Sequence, residues 1–456
     1  MPAYCHVARR LRPRHDVSAM HVLLIQPRVS SEPTYPLALA GMIPLLKGAG
    51  HTVHGIDLQF EPETRIRELL AQHPIEWVGA TVMHHNAAEV GRWMTNLGAD
   101  YPLQTFVAGA LPTLDPEAAL ARTGADFAVV GEPEETVADL VGAIQPTQVP
   151  GIVHRKNGRI CRASPRIPSP LDLLGAPDRS VFELNRYSYA MRAQATPYAM
   201  VTTSRGCHRH CPYCPVPALR PRGFDARSPE SVVAEWRALV QAGMASLHIE
   251  DDSFLADPGR VRAICRLLMA EPLGAVWELV NGVRPDQVTA PLLREMAAAG
   301  CTRIVYAFEH ISSGHGPAVG QSLQVAQAAV QAAREANMRV GGYFIVGLPG
   351  IDLQETIASI LHALRLRLDD ANFIVFYESP GSAYAGASSA LDATTIPKNT
   401  AARLVQVAQL GFFGDLKALR RLFADMIDTP RTLPALADKA WEILRKGGPI
   451  PMRDTP

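Results

Sequence analysis

The pattern that most constrains the fold is an alternation of short apolar runs with amphipathic stretches, which begins at residue 20. Apolar runs such as HVLLIQP, TVHGIDL, IEWVGATVM and QTFVAGA are each followed by a stretch with helical spacing. Strands that alternate with helices pair in parallel, so residues 20–145 are predicted to form a Rossmann-like α/β domain with a doubly wound parallel sheet. Such sheets bind ligands at the carboxyl ends of their strands. The first of these loops, PRVSSEPTYP, lacks G-x-G-x-x-G, which disfavours a nicotinamide or flavin dinucleotide.

A proline-rich stretch separates this block from a second alternation. Residues 146–195 contain Asn157-Gly158, a strong signal for a two-residue hairpin, and are predicted to be a linker with one β-hairpin. From 196 to 384, six strand-like runs alternate with helical patterns, which predicts a partial TIM barrel of six βα units. Residues 385–456 are expected to form a C-terminal helical cap. Residues 1–19 show no periodicity and are expected to be a disordered extension.

Composition disfavours several classes of partner. The chain has 456 residues, 47% of them apolar, and can bury full cores in several domains. Its 44 basic and 44 acidic residues cancel, so neither a nucleic acid nor a membrane surface is expected as partner. No apolar run approaches the roughly 20 residues that span a bilayer, and the Arg-rich start does not resemble a secretory signal. We therefore expect a cytoplasmic protein.

Three cysteines mark a candidate metal site. The chain has seven cysteines, and their odd number and scattered positions disfavour a disulfide framework. Cys207, Cys211 and Cys214 lie within eight residues in TSRGCHRHCPYCPV, just after the first strand of the predicted barrel. Three thiolates at this spacing can each bind one iron of a 4Fe–4S cube and leave the fourth iron open. The alternative is a Cys3His zinc site using His208 or His210, although zinc ligands usually come as two separated pairs.

The same segment, with Tyr213 before the third cysteine, resembles the signature of the radical S-adenosylmethionine (SAM) superfamily. Four more motifs follow in that family's order: HIEDDSF, NGVRPD, YAFEH (where the family usually reads G-I-E-S) and VGLPG. The resemblance implies that the three cysteines hold the cluster and that its open iron binds SAM. The implied SAM contacts are Tyr213, Glu250, Asp251, Asp252, Asn281, Arg284, Glu309, Gly347 and Pro349.

The first block resembles the cobalamin-binding domain that precedes the barrel in one large class of radical SAM enzymes. The resemblance rests on LLIQPR, YPLALAGMIPLLKGAGHTVHGIDL, VAGALPTLDPEAAL and DFAVVGEPEETVADL, and a generic flavodoxin-like domain is the alternative. The chain lacks D-x-H-x-x-G, by which other cobalamin enzymes supply a histidine to cobalt. We expect base-off cobalamin without a histidine ligand, its lower face shielded by Met83 or a neighbouring apolar group. The implied cobalamin contacts are Pro36, Met83, His84, His85, Gly109, Ala110, Gly131 and Glu132.

These resemblances predict a cobalamin-dependent radical SAM methyltransferase that methylates a poorly activated carbon. They imply that SAM is both the radical source and, through methylcobalamin, the methyl donor. The alternatives are a non-methylating member that forms rings or rearranges its substrate, and a non-catalytic cobalamin or iron–sulfur binding module. The expected partners are a small-molecule, tetrapyrrole or peptide substrate and an external electron donor of the flavodoxin or ferredoxin type. No catalytic residue is assigned.

Overall fold

The structure, a computed structural model, describes residues 19–28, 33–187, 197–221, 223–312, 320–386 and 396–413. The predicted extension 1–19 lies outside these ranges except for Ala19. The predicted cap 385–456 is described only at residues 385–386 and 396–413. The chain divides into two units, residues 1–187 and 188–456.

The described residues of the first unit form seven strands and seven α-helices. The strands are β1 His21–Gln26, β2 Thr52–Asp57, β3 Ile75–Thr81, β4 Gln104–Ala108, β5 Phe127–Val129, β6 Ile152–Lys156 and β7 Arg159–Arg162. The helices are α1 Leu37–Gly48, α2 Thr64–Gln72, α3 Ala87–Asp100, α4 Ala110–Leu114, α5 Pro116–Thr123, α6 Pro133–Val141 and α7 Leu171–Leu174.

The strands of this unit form one sheet in the order β2-β1-β3-β4-β5-β6-β7. Strands β1 to β5 are parallel, and the order is that of flavodoxin-like sheets, so the predicted doubly wound sheet is confirmed. The predicted hairpin also forms, because Asn157 and Gly158 both have positive φ, 50° and 76°, as a type I′ turn requires. Strand β6 pairs antiparallel with β5, so the hairpin extends the sheet of the first unit.

The second unit has ten strands and seven helices in the described residues. The strands are β8 Tyr198–Val201, β9 Ser204–Gly206, β10 Phe224–Ala226, β11 Ser246–Ile249, β12 Val276–Val283, β13 Cys301–Glu309, β14 Ile311–Ser312, β15 Gln321–Ser322, β16 Arg339–Val346 and β17 Asp370–Val375. The helices are α8 Val216–Leu219, α9 Pro229–Gln241, α10 Pro258–Ala270, α11 Ala290–Ala298, α12 Leu323–Glu335, α13 Leu353–Arg365 and α14 Lys398–Phe413.

Six of these strands form a parallel sheet in the order β17-β16-β13-β12-β11-β8, which confirms the predicted partial barrel of six βα units. The helices start where the sequence supplies a capping side chain that accepts a hydrogen bond from a backbone N–H of the first turn. These caps are Ser228, Asp257, Thr289, Ser322 and Asp352, at the starts of α9 to α13.

Among the described residues, no helix combines the length and the apolar character needed to cross a bilayer.

Candidate cluster and cofactor sites

The three cysteines lie in the loop that follows the short strand β9. Strand β9 pairs antiparallel with β10, and all three thiols are half-buried. Two contacts shape the loop: the backbone N–H of Cys214 donates to the carbonyl of Cys211 at 3.0 Å, and the N–H of Arg209 donates to Cys207 Sγ at 3.4 Å. Gly206 precedes the first cysteine with φ of 83°, and a Cβ there would lie 1.7 Å from the carbonyl oxygen of Gly223. Only glycine fits this position.

The three sulfurs lie close enough to influence one another's ionisation. Burial, together with the nearby Cys211, Asp252 and Cys207, raises the pKa of the Cys214 thiol to about 11, although a hydrogen bond from the Val216 backbone opposes the rise. Among the described residues, no three histidine, cysteine or acidic side chains converge on one position that could hold a single metal ion. A cube does not need that convergence, because each cysteine binds a different iron. The donor set therefore fits a 4Fe–4S cluster, whose binding would release the thiol protons.

A cavity of about 400 Å³ opens beside the cysteines. It lies at the carboxyl ends of the parallel strands, where this class of sheet binds ligands. Six of the predicted SAM contacts line it, and Glu250, Gly347 and Pro349 do not. The six are Tyr213, Asp251, Asp252, Asn281, Arg284 and Glu309.

Glu309 is a buried carboxyl group in the wall of this cavity. Its φ is 60°, and the N–H of His310 donates to the carbonyl of Phe308 at 2.6 Å, closing a tight turn around it. Such backbone is unusual outside glycine and is found most often at functional sites. Burial raises the pKa of Glu309 to about 7, although the Tyr213 hydroxyl donates to its carboxylate and Arg284 lies nearby, and both oppose the rise. Arg284 Nε is buried and has no hydrogen-bond partner in the structure.

Asp251 and Asp252 are turned toward the cluster loop. Asp251 accepts hydrogen bonds from Thr203 N at 2.6 Å, Thr203 Oγ1 at 2.5 Å and Ser204 Oγ at 2.5 Å. Asp252 accepts from Gly206 N at 2.7 Å. Asn281 Nδ2 donates to the carbonyl oxygens of Glu250 and Asp251, at 3.3 and 3.2 Å. These contacts join the ends of β11 and β12 to the segment that leads to the cysteines.

The predicted VGLPG turn, residues 346–350, packs against neighbouring parts of the second unit. Gly347 has φ of 85°, and a Cβ there would lie 3.2 Å from the Ala401 side chain of α14. Leu348 and Ile351 form a small core on which Tyr213 packs. The turn therefore supports the cluster loop from one side.

Sequence reasoning missed several cavity residues. Arg209 lines the cavity and forms an ion pair with Asp286 at 3.0 Å. The aromatic side chains of Tyr343 and Phe376 form another part of the cavity wall. Tyr343 lies in the carboxyl half of β16 and Phe376 directly follows β17, so strand position was the available signal. Tyr377 and Ser379, which follow the carboxyl end of β17, also line it.

In the first unit, the predicted cobalamin contacts lie in the loops after β1, β3, β4 and β5. Pro36 is buried before α1, Gly109 and Ala110 start α4, and Gly131 and Glu132 precede α6. The loops are joined: a Cβ on Gly109, whose φ is 110°, would lie 3.1 Å from the carbonyl oxygen of Val82. Thr113 Oγ1 accepts from Gly131 N at 3.1 Å and donates to Gly109 O at 2.7 Å.

The loop after β3 presents the groups best suited to a corrin ring. Met83 is 45% exposed, and its N–H donates to Asn86 Oδ1 at 2.8 Å. Burial and the nearby Arg122 lower the pKa of His84, so its imidazole is neutral. Within the described part of the chain, His84 Nε2 is buried without a hydrogen-bond partner, and the position a Cβ would take on Gly131 meets no atom within 4 Å. An apolar side chain, an unsatisfied ring nitrogen and an open glycine fit a large ligand rich in amide groups.

Two family models match the chain in order. The B12 binding domain model matches residues 28–141, and the radical SAM superfamily model matches residues 201–363.

Individual relatives cover most of the chain. An uncharacterized methyltransferase of Pyrococcus horikoshii is 25% identical over 387 residues, which is 80% of this chain and 82% of that protein. Cytidylyl-2-hydroxyethylphosphonate methyltransferase of Streptomyces wedmorensis is 26% identical over 321 residues, 60% of this chain and 59% of that one.

Among solved structures, the chain is similar to the radical SAM methyltransferase TsrM from Kitasatospora setae with cobalamin and a 4Fe–4S cluster bound. The TM-score is 0.67 at 19% identity, covering 81% of this chain and 74% of TsrM. TsrM with its tryptophan substrate and a SAM analogue gives a TM-score of 0.66 at 20% identity, covering 78% and 73%. At this identity the likeness concerns the fold. With both domains in order and both folds present, the chain belongs to the cobalamin-dependent radical SAM enzymes, whose cofactors are a 4Fe–4S cluster, SAM and cobalamin.

Proposed function

We propose that this protein is a methyltransferase that uses SAM and cobalamin to methylate a poorly activated carbon of a small molecule. The observation that carries the proposal is the cavity in which three half-buried cysteines and the buried Glu309 meet, in a chain that also has a B12 binding domain. Relatives named as methyltransferases support the group transferred, and tryptophan in TsrM supports a small-molecule acceptor.

The cavity offers complementary charges for the amino-acid part of SAM. Glu309 can accept from its ammonium group, and the unpaired Nε of Arg284 can donate to its carboxylate. Tyr213 donates to Glu309 and so orients that carboxylate. Asn281 ties the ends of β11 and β12 together beside them.

The remaining walls of the cavity are mostly apolar. Tyr343 is fixed by a hydrogen bond from its hydroxyl to the Val280 carbonyl at 2.8 Å, and Ile345 and Phe376 continue the apolar surface. Apolar walls exclude water, which protects reactive species. When bound, the cofactors supply a carbon-centred radical and a transferable methyl group, and the protein's part is positioning.

The test is a product analysis of the anaerobically reconstituted holoenzyme with SAM, a reductant and candidate small-molecule acceptors. A methyltransferase that uses SAM in both roles should form S-adenosylhomocysteine and 5′-deoxyadenosine with a methylated product. Formation of 5′-deoxyadenosine alone would favour the non-methylating alternative. Formation of neither, with all three cofactors bound, would favour a binding module.

A further inference from the structure

We infer that Asp251 and Asp252 are positioning residues that set the conformation of the cluster-binding loop. The inference rests on the proposed role of Cys207, Cys211 and Cys214 as cluster ligands. The sequence motif predicted both acids as SAM contacts. Their carboxylates instead accept hydrogen bonds from the segment Thr203–Gly206, which leads directly into Cys207.

Asp251 is committed to this segment by burial and by the number of its donors. It is 4% exposed, and its two oxygens accept from the Thr203 N–H, the Thr203 hydroxyl and the Ser204 hydroxyl at 2.5–2.6 Å. A buried carboxylate is costly unless hydrogen bonds satisfy it, and three short bonds do so here. Little acceptor capacity is left for a ligand in the cavity.

Thr203 is also held from its other side. Its carbonyl oxygen accepts from Arg260 Nη2 at 2.8 Å and from the backbone N–H of Arg227 at 2.9 Å. The N–H, the hydroxyl and the carbonyl of one residue are therefore all fixed. The strand entering the loop has one orientation relative to the end of β11.

Asp252 fixes the peptide group between Arg205 and Gly206, just before the first cysteine. Its carboxylate accepts from Gly206 N at 2.7 Å, and Gly206 has the positive φ and close backbone contact that exclude other residues. A cluster needs its three thiolates at fixed mutual positions. Side chains that orient metal ligands from behind typically contribute 10- to 100-fold to metal affinity.

The experiment compares Asp251→Ala and Asp252→Ala with the reconstituted full-length wild type. We expect the alanine variants to bind fewer irons per chain, or to release iron to a chelator about 10- to 100-fold faster, below their unfolding temperature. Asp251→Asn and Asp252→Asn keep an acceptor oxygen and should restore part of the retention. The electron paramagnetic resonance spectrum of the reduced cluster should broaden in the alanine variants.

Asp369→Ala is the matched control. Asp369 accepts from a backbone N–H of the same sheet, Val340 N at 2.7 Å, but at the amino ends of the strands. The Asp369→Ala variant should have a lower melting temperature but should release iron no faster than the wild type. The inference is overturned if Asp251→Ala and Asp252→Ala release iron at the wild-type rate, or if iron release tracks melting temperature across all variants, the control included.

Two further results separate the possible failures. If Asp251→Ala does not fold, the variants of the half-buried Asp252 test the inference alone, because Asp252 accepts its hydrogen bond from Gly206, next to Cys207. The variant with all three cysteines replaced by alanine should hold no cluster. If it keeps four irons, the ligand assignment fails, whatever the aspartate variants show.

Discussion

Glu309 shows how a single residue can be shaped for ligand binding at the expense of local stability. A positive φ outside glycine and a carboxyl buried enough to have a pKa of about 7 are both unfavourable. The hydrogen bond from Tyr213 and the charge of Arg284 offset part of that cost. A bound ammonium group would offset more, which is the physical reason to assign Glu309 to SAM.

Replacing Glu309 with glutamine should weaken SAM binding by roughly 10- to 150-fold, because one charge-assisted hydrogen bond contributes about 1.5–3 kcal/mol. Equilibrium dialysis of SAM against the reconstituted protein measures this. Glu271→Gln is the control, because Glu271 is exposed, pairs with Arg237 at 2.7 Å and does not line the cavity, so SAM affinity should stay unchanged. Equal losses in both variants would contradict the assignment.

His310, the next residue, carries a prediction about pH. Burial and the nearby His362 lower its pKa to about 4, so the folded protein holds it neutral. An unfolded histidine binds its proton near pH 6.5. Burial of neutral His310 therefore costs no stability above pH 6.5, and the free energy of unfolding decreases as the pH falls from 6.5 toward 4. Between pH 7 and 5 the loss is about 2 kcal/mol.

The free energy of unfolding measured in urea at pH 7 and pH 5 checks this. In His310→Gln the difference between the two pH values should be smaller than in the wild type by that amount. Identical differences in the two proteins would show that His310 is not held neutral by burial.

At the scale of elements, close contact between α3 and α5 sets the loop after β3. Gly91 of α3 lies against the backbone of α5, where a Cβ would come within 2.1 Å of the Arg122 carbonyl oxygen. Arg122 Nη2 in turn donates to the carbonyl of His84 at 2.9 Å. The helix pair therefore positions the loop that carries Met83 and His84.

Gly91→Ala should push α3 from α5 and destabilise the protein by about 1–3 kcal/mol, with weaker cobalamin binding. Gly98→Ala, in the same helix, meets no atom within 4 Å and should be neutral or stabilising by up to about 1 kcal/mol. Thermal unfolding and cobalamin titration measure both variants. A stable Gly91→Ala protein with wild-type cobalamin affinity would contradict this account of the helix contact.

The sequence predicted the elements better than it predicted what individual side chains contact. Parallel strands read as apolar runs because both faces are buried, and the Asn157-Gly158 turn follows from local chemistry, so both could be predicted. The orientation of Asp251 depends on Thr203 and Ser204, which are 48 and 47 residues away in sequence. Strand β10, which pairs with β9, is three residues long and has no periodic signal.

At the scale of the whole molecule, two parallel sheets each supply a ligand-binding edge at the carboxyl ends of their strands. The first edge presents Met83, His84 and the open Gly131. The second presents three cysteines and a cavity lined by Glu309 and Arg284. One chain thus combines a B12 binding domain with a radical SAM domain, and methyl transfer is the reaction that we propose for this pairing.

The most direct test of this claim follows the methyl group of SAM labelled with three deuterium atoms. Reduced, reconstituted protein is incubated with the labelled SAM, and its own cobalamin is extracted in the dark for mass spectrometry. The account predicts that the cobalamin gains a methyl group bearing all three deuterium atoms, with one S-adenosylhomocysteine formed for each methyl group. Fully loaded protein that cleaves SAM but leaves its cobalamin without the label would contradict the proposed methyltransferase function.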